Sequence, residues 1–191
     1  VYGETNKILG SDGTPEAAHW VFEPVESLNI NLNTIEGKGY ATTYLPFAAE
    51  IDPSTAQAFT VKVNDTGDAA KYTSIDDNVI PAETGVLIIS DSGAEVATLT
   101  PLAEAEAITD NDLTGHLFAG EVSDALVLNS VSNAVGFYTL ASGNTLAANR
   151  AYINNAGGAI RSLKLVAGDN ATGIQNVTTK ADDAKVYDLQ G

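Results

Sequence analysis

An all-β fold, an antiparallel β-sandwich of about ten or more strands, is what this sequence predicts, and three observations carry the prediction. Turn chemistry punctuates the chain throughout, at Ser11-Asp12-Gly13, Glu36-Gly37-Lys38-Gly39, Asp65-Thr66-Gly67-Asp68, Asp91-Ser92-Gly93 and Ser142-Gly143-Asn144. Between the turns lie short runs, rich in β-branched and aromatic residues, several of which alternate apolar with polar. At 191 residues the chain can bury roughly 70% of its unfolded surface, so a core is available without staples, and the sequence has no cysteine.

In chain order, residues 19–24 hold an isolated stretch in which Trp20 and Phe22 alternate. Residues 1–26 are therefore expected to be an N-terminal strand or the remnant of an upstream domain. Leu28, Ile30 and Leu32 share one strand face while Asn29, Asn31 and Asn33 share the other. Residues 40–45 form a further strand. Phe59, Val61 and Val63 alternate with Thr60, Lys62 and Asn64. Residues 85–89 are the longest apolar run, the size of a strand and far short of the roughly 20 residues of a membrane helix. Residues 101–110 are the best helix candidate, but their Ala103-Glu104-Ala105-Glu106-Ala107 pattern has period two as much as 3.6 and reads equally as a loop or an edge strand.

Strands are also expected at 122–128, 135–140 and 151–153, and around Lys164, which Leu163 and Leu165 flank. Pro46, Pro53, Pro81 and Pro101 each bound a run, because proline cannot donate to a central ladder. The β-sandwich module thus covers residues 27–167. Residues 168–191 read as a polar linker followed by the start of a tail strand at 185–189.

Composition excludes several classes of function. Without cysteine there is no thiolate metal site, disulfide framework or cysteine nucleophile. A formal charge of -16, from 25 acidic against 9 basic side chains, repels phosphate backbones and anionic lipid, so neither nucleic acid nor a membrane surface is expected as a partner, and the short apolar runs make membrane insertion unexpected. The chain begins at Val1 and reads as a mature or excised fragment. A monomer is expected.

Four ordered segments carry a resemblance: Gly39-Tyr40-Ala41-Thr42-Thr43-Tyr44-Leu45-Pro46-Phe47, Ile80-Pro81-Ala82-Glu83-Thr84-Gly85-Val86-Leu87, Gly136-Phe137-Tyr138, and Leu146-Ala147-Ala148-Asn149-Arg150-Ala151-Tyr152. Together they resemble a C-terminal β-rich module of secreted, multidomain Bacteroidetes proteins. Thr172-Gly173-Ile174 with Val186-Tyr187-Asp188-Leu189-Gln190-Gly191 resembles the start of a C-terminal tail associated there with export or surface attachment. The resemblance implies placement outside the cell, secreted or associated with the outer membrane, and neighbouring domains of the same polypeptide as partners. It implies no activity. At the matching positions, Gly39 and Gly85 read as sites where a Cβ is unwelcome, and Tyr40, Tyr44, Phe47 and Tyr152 as core area.

Little else in the sequence carries chemistry. His19 and His116 lie far apart, with no metal-ligand spacing, and no nucleophile elbow occurs. Asp76 with Asp77, Glu104 with Glu106, and Asp110 with Asp112 are the local carboxylate pairs that a glycosidase would need; acid–base work also needs environments that separate their pKa values. Residues 110–115 resemble an oxygen-ligand calcium loop, with Asp110 and Asp112 as ligands, though Asx turn chemistry explains them without metal. No other cofactor is implied. Asn155-Ala156-Gly157-Gly158 reads as a hairpin loop. Trp20, Tyr40, Tyr44, Tyr72 and Tyr138 are the candidate platforms for a glycan, set against the need of a sandwich core for its aromatics. The expected function is a non-catalytic accessory or structural module, with a carbohydrate-binding or adhesin-like module as the alternative and a glycoside-active enzyme after it.

Overall fold

Val86-Leu87-Ile88-Ile89 is apolar without interruption, and alternation therefore gives the strand that contains it two apolar faces. The computed structural model, which describes residues 25–168, places this segment in a strand, β8 (Thr84–Ser90), covered on both sides. Before it come β1 (Leu28–Asn31), β2 (Asn33–Ile35), β3 (Lys38–Leu45), β4 (Ala48–Ile51), β5 (Gln57–Val63), β6 (Ala69–Ser74) and β7 (Val79–Ile80). After it come β9 (Val96–Leu102), β10 (Leu113–His116), β11 (Gly120–Glu121), β12 (Ala125–Val131), β13 (Ala134–Thr139), β14 (Thr145–Leu146), β15 (Arg150–Asn154) and β16 (Ser162–Ala167). Apart from a single 3-10 turn at Asp76–Asn78, the described residues contain no helix, and the fold is all-β.

Three sheets result. A four-stranded sheet runs β1-β9-β4-β7, a ten-stranded sheet runs β10-β15-β12-β13-β16-β6-β5-β8-β3-β2, and β11 and β14 form a short ladder. Val86 and Ile88 join Ala41, Leu45, Ala58, Ile51 and Leu99 in a first core, under the four-stranded sheet. Leu87 and Ile89 join Phe59, Val61, Phe137, Ile153 and Leu163 in a second core, inside the curl of the large sheet. Leu28, Ile30 and Leu32 face the first core, and Phe59, Val61 and Val63 the second, as their alternation predicts.

The large sheet curls until β10 and β15 lie over β8 and β3. At Gly85 the approach is so close that a Cβ would lie 2.9 Å from Ala151 Cβ and 3.1 Å from Leu113 Cβ. Beyond single backbone bonds such as Tyr44 N donating to Asn149 O at 3.2 Å, the closure is tied by side chains in place of a strand ladder. Thr42 Oγ1 donates to Ala151 O at 2.9 Å and accepts from Ala151 N at 3.2 Å. Arg150 donates through an Nη to Thr42 O at 3.1 Å. Both Gly39, whose Cβ would lie 2.5 Å from Ala94 O, and Gly85 are thus close-approach glycines.

Several details depart from the sequence reading. Every ladder is antiparallel except one, β16 with β6. The helix candidate at 101–110 is instead the end of β9 followed by irregular chain. Pro101 is tolerated within β9 because β1 stops pairing at Leu99 and only β4 continues alongside. The strand expected at 122–128 begins at Ala125, after Asp124 takes a left-handed φ of 50°. Residues 155–158 do not close a hairpin, since β12 and β13 separate β15 from β16. The expected elements at 19–24 and 185–189 fall outside the described residues.

Leu87→Ala and Ile88→Ala each empty a fully buried site, one in each core. Each is expected to lower unfolding free energy by about 2–5 kcal/mol in urea titrations, while exposed Ser162→Ala on β16 stays within about 0.5 kcal/mol.

Candidate functional site

The Asx-rich segment at 110–112 sits where β5 leaves β8. Those two strands pair only from Gln57 to Phe59, which strips the rest of β5 of a neighbour on that edge. Asn111 fills the fork: its Nδ2 donates to Gly85 O at 2.7 Å, and its Oδ1 accepts from Val61 N at 3.1 Å. Asp112 continues along β5, its N donating to Val61 O at 2.7 Å and its Oδ2 accepting from Val63 N at 2.8 Å. Lys62 Nζ lies 2.9 Å from Asp112 Oδ1 and 3.3 Å from Asp110 Oδ1. An ammonium therefore stands where the calcium reading puts a metal, and hydrogen bonding to Asp112, then to Asp110, raises the Lys62 pKa. No three His, Asp or Glu side chains among the described residues are grouped to hold a metal ion.

The five candidate aromatics do not form one platform. Trp20 falls outside the described residues. The Tyr44 ring covers Gly115 so closely that any Cβ there would overlap it. Tyr138 lies back along its own strand, its hydroxyl donating to Ala134 O at 2.8 Å, with ring carbon Cε2 3.5 Å from where a Gly136 Cβ would stand. These two tyrosines do the packing that their missing glycine side chains cannot.

Tyr40 and Tyr72, by contrast, come together. Both line a cleft of about 280 Å³ at one mouth of the second core, with Glu36, Lys38 and Asn133 around its rim. Tyr72 is only 8% exposed and packs edge-on against Phe59, ring centroids 5.1 Å apart. Neither tyrosine hydroxyl makes a hydrogen bond to another described residue. Burial raises the pKa of both phenols, and the nearby Lys38 charge opposes that rise. Lys38 Nζ pairs with Asp91 Oδ1 at 2.8 Å, and that hydrogen bond raises the lysine pKa. The rim is made from two-residue turns with left-handed backbone, Glu36-Gly37 between β2 and β3 and Ser132-Asn133 between β12 and β13.

Elsewhere Asp76, Asp77 and Glu106 line an open groove of about 810 Å³, which unites members of two carboxylate pairs noted in the sequence; all three are exposed. Glu104 is exposed and is not among its lining residues. His116 stacks edge-on to Tyr152 at 6.4 Å, and its Nε2 is buried with no hydrogen-bond partner among the described residues. Sequence reasoning missed Lys38, Asp91 and Asn133 as companions of the tyrosines. The one available signal was the pair of turn sequences that carry Lys38 and Asp91. No helix among the described residues is long and apolar enough to cross a membrane. No protein-family model, curated protein or solved structure matches the chain.

Asn111→Ala orphans Val61 N and Gly85 O, and is expected to lower stability by about 1–3 kcal/mol for each group left unsatisfied, read from urea midpoints. Alkaline pH should also destabilise the fold. Tyr40, Tyr72 and Lys38 have folded pKa values above their unfolded ones, so the native state holds protons that the unfolded chain releases. The resulting stability is fully present below about pH 10 and is lost as pH rises through the raised values. Tyrosinate absorbance of Tyr40→Phe and Tyr72→Phe should show that the deleted phenol was a late-titrating one.

Proposed function

We propose that this chain is a non-catalytic accessory module of a secreted or cell-surface bacterial protein, outer-membrane-associated, which supports neighbouring domains of the same polypeptide. One observation carries the reading: side chains that could have served chemistry are used as ties between strands. Asn111 and Asp112 hold β5 and β8 to the segment entering β10. Thr42 holds β3 to β15, and Tyr44 and Tyr138 fill glycine gaps. Placement outside the cell rests on the resemblance of the four ordered segments and of the C-terminal tail.

A glycoside-active enzyme would have to work through the groove of Asp76, Asp77 and Glu106. Exposed carboxylates in one wet groove share an environment, whereas a general acid and its partner need different ones. A carbohydrate-binding role is favoured by a separate observation, the meeting of Tyr40 and Tyr72 in a cleft. An adhesin-like role remains part of that second reading.

Incubating the full chain with a panel of nitrophenyl glycosides is expected to release no nitrophenol. Release that disappears in Asp76→Asn, Asp77→Asn or Glu106→Gln would overturn the non-catalytic reading. Protease treatment of intact cells that make the parent protein should remove this module, and full protection would refute its surface placement.

A further inference from the structure

We infer that the cleft between the Glu36-Gly37 and Ser132-Asn133 turns binds one neutral, polyhydroxylated ring, the terminal residue of a glycan, through the hydroxyls of Tyr40 and Tyr72. This rests on the second, carbohydrate-binding reading above, and deepens it by naming the site and the chemistry of its ligand.

Size sets the first limit. A cleft of about 280 Å³ falls just below the range of small-molecule sites, about 300–1,000 Å³, and accommodates a single ring in preference to an extended chain. The orientation of the aromatics sets the second. Tyr72 is only 8% exposed, and its ring is engaged with Phe59, so it offers a ligand its hydroxyl and not its face. Recognition here is of a hydroxyl pattern, end-on, rather than by stacking along a polysaccharide.

The Tyr72 hydroxyl supplies the polar contact at the cleft's floor. Tyr72 lines the cleft, its ring is buried, and its hydroxyl is not one of the buried, unpartnered polar atoms of the described residues, so it meets water in the cleft. A ligand hydroxyl can take the place of that water as its partner. Phenols both donate and accept, the Asn133 amide does the same, and carboxylates accept from vicinal hydroxyls. Polyols supply donors and acceptors in the same proportion. Ile35, Val135 and Leu165 give the apolar surface that the C–H face of such a ring covers.

Charge narrows the class further. The Lys38 ammonium is matched by Asp91 at 2.8 Å, which leaves Glu36 on the rim as an uncompensated anion. With a chain charge of -16 added, the site disfavours an acidic ligand. Preorganisation completes the case. A Cβ on Gly93 would stand 2.7 Å from Gly37 O, and one on Gly39 2.5 Å from Ala94 O, so the loop after β8 braces the β2–β3 turn, and little ordering is left for binding to impose.

The test is a ¹⁵N NMR titration of the full chain with methyl glycosides of glucose, galactose, mannose, xylose and N-acetylglucosamine, and with methyl glucuronide. Concentrations reach about 50 mM, well above the about 1 mM dissociation constant that a few hydrogen bonds sustain. At least one neutral glycoside is expected to shift the amides of Tyr40, Tyr72 and Asn133, with affinity about five- to tenfold lower in Tyr72→Phe. Asn133→Gly, which keeps the left-handed turn and deletes the amide, should weaken binding in the same way. Binding that moves other residues and survives both substitutions would sink this site while leaving carbohydrate binding intact. Binding of glucuronide as tight as the neutral sugars would overturn the neutral class. A flat titration with every glycoside would remove both the site and the reading beneath it.

Discussion

Because β8 has no wet face, the chain on either side of it must supply two separate covers, and most of the architecture follows from that demand. The four-stranded sheet closes one side over Val86 and Ile88, and the curled sheet closes the other over Leu87 and Ile89. A strand buried on both faces also needs both of its edges satisfied. β3 takes one edge along the full length of β8, but β5 takes only part of the other before it turns away. The fork so created is where Asn111 inserts, so the placement of β10, and with it the closure of the second core, descends from how far β5 can follow β8.

The two halves of the molecule are held by different physics. In the first core, the contacts are apolar and the connections between sheets are short. Across the closure of the second, the interior is apolar but the seam is polar: Thr42, Arg150, Asn111 and Asp112 all reach backbone groups of a strand distant in sequence. Side-chain ties of this kind fix register without extending a ladder, and they leave β10 and β2 as the ends of the large sheet. The cleft of Tyr40 and Tyr72 lies at a mouth of this second core, where the β2–β3 and β12–β13 turns meet.

Where a segment's structure was set by its own pattern, the sequence made it legible. The β8 run, the alternations at 28–32, 59–63 and 163–165, and the close-approach role of Gly39 and Gly85 all belong to this class. β4, with its Ala-Ala-Glu-Ile, β6 and β9 carry weaker patterns and become strands because neighbours pair with them. β10 is Leu-Thr-Gly-His, a poor strand former held by Asn111 at its entry and by the Tyr44 ring over Gly115. At the candidate site, Tyr40 and Tyr72 were visible as residues but not as neighbours. The companions Lys38, Asp91 and Asn133 come from three different turns, and Lys62, which fills the apparent calcium loop, stands on a strand remote from it in sequence.

The Thr42 tie to Ala151 spans 109 positions of chain. During synthesis, every strand of the first sheet, together with β8, emerges well before the second cover of β8 exists. Phe59, Leu87 and Ile89 must then wait as an open apolar surface until β12, β13, β15 and β16 have followed. Such a surface is sticky toward other chains in the same condition, and closing so distant a contact is slow. A polypeptide built this way is a natural client for holding factors, and it reaches a protease-resistant state only after almost all of the described chain is free to fold.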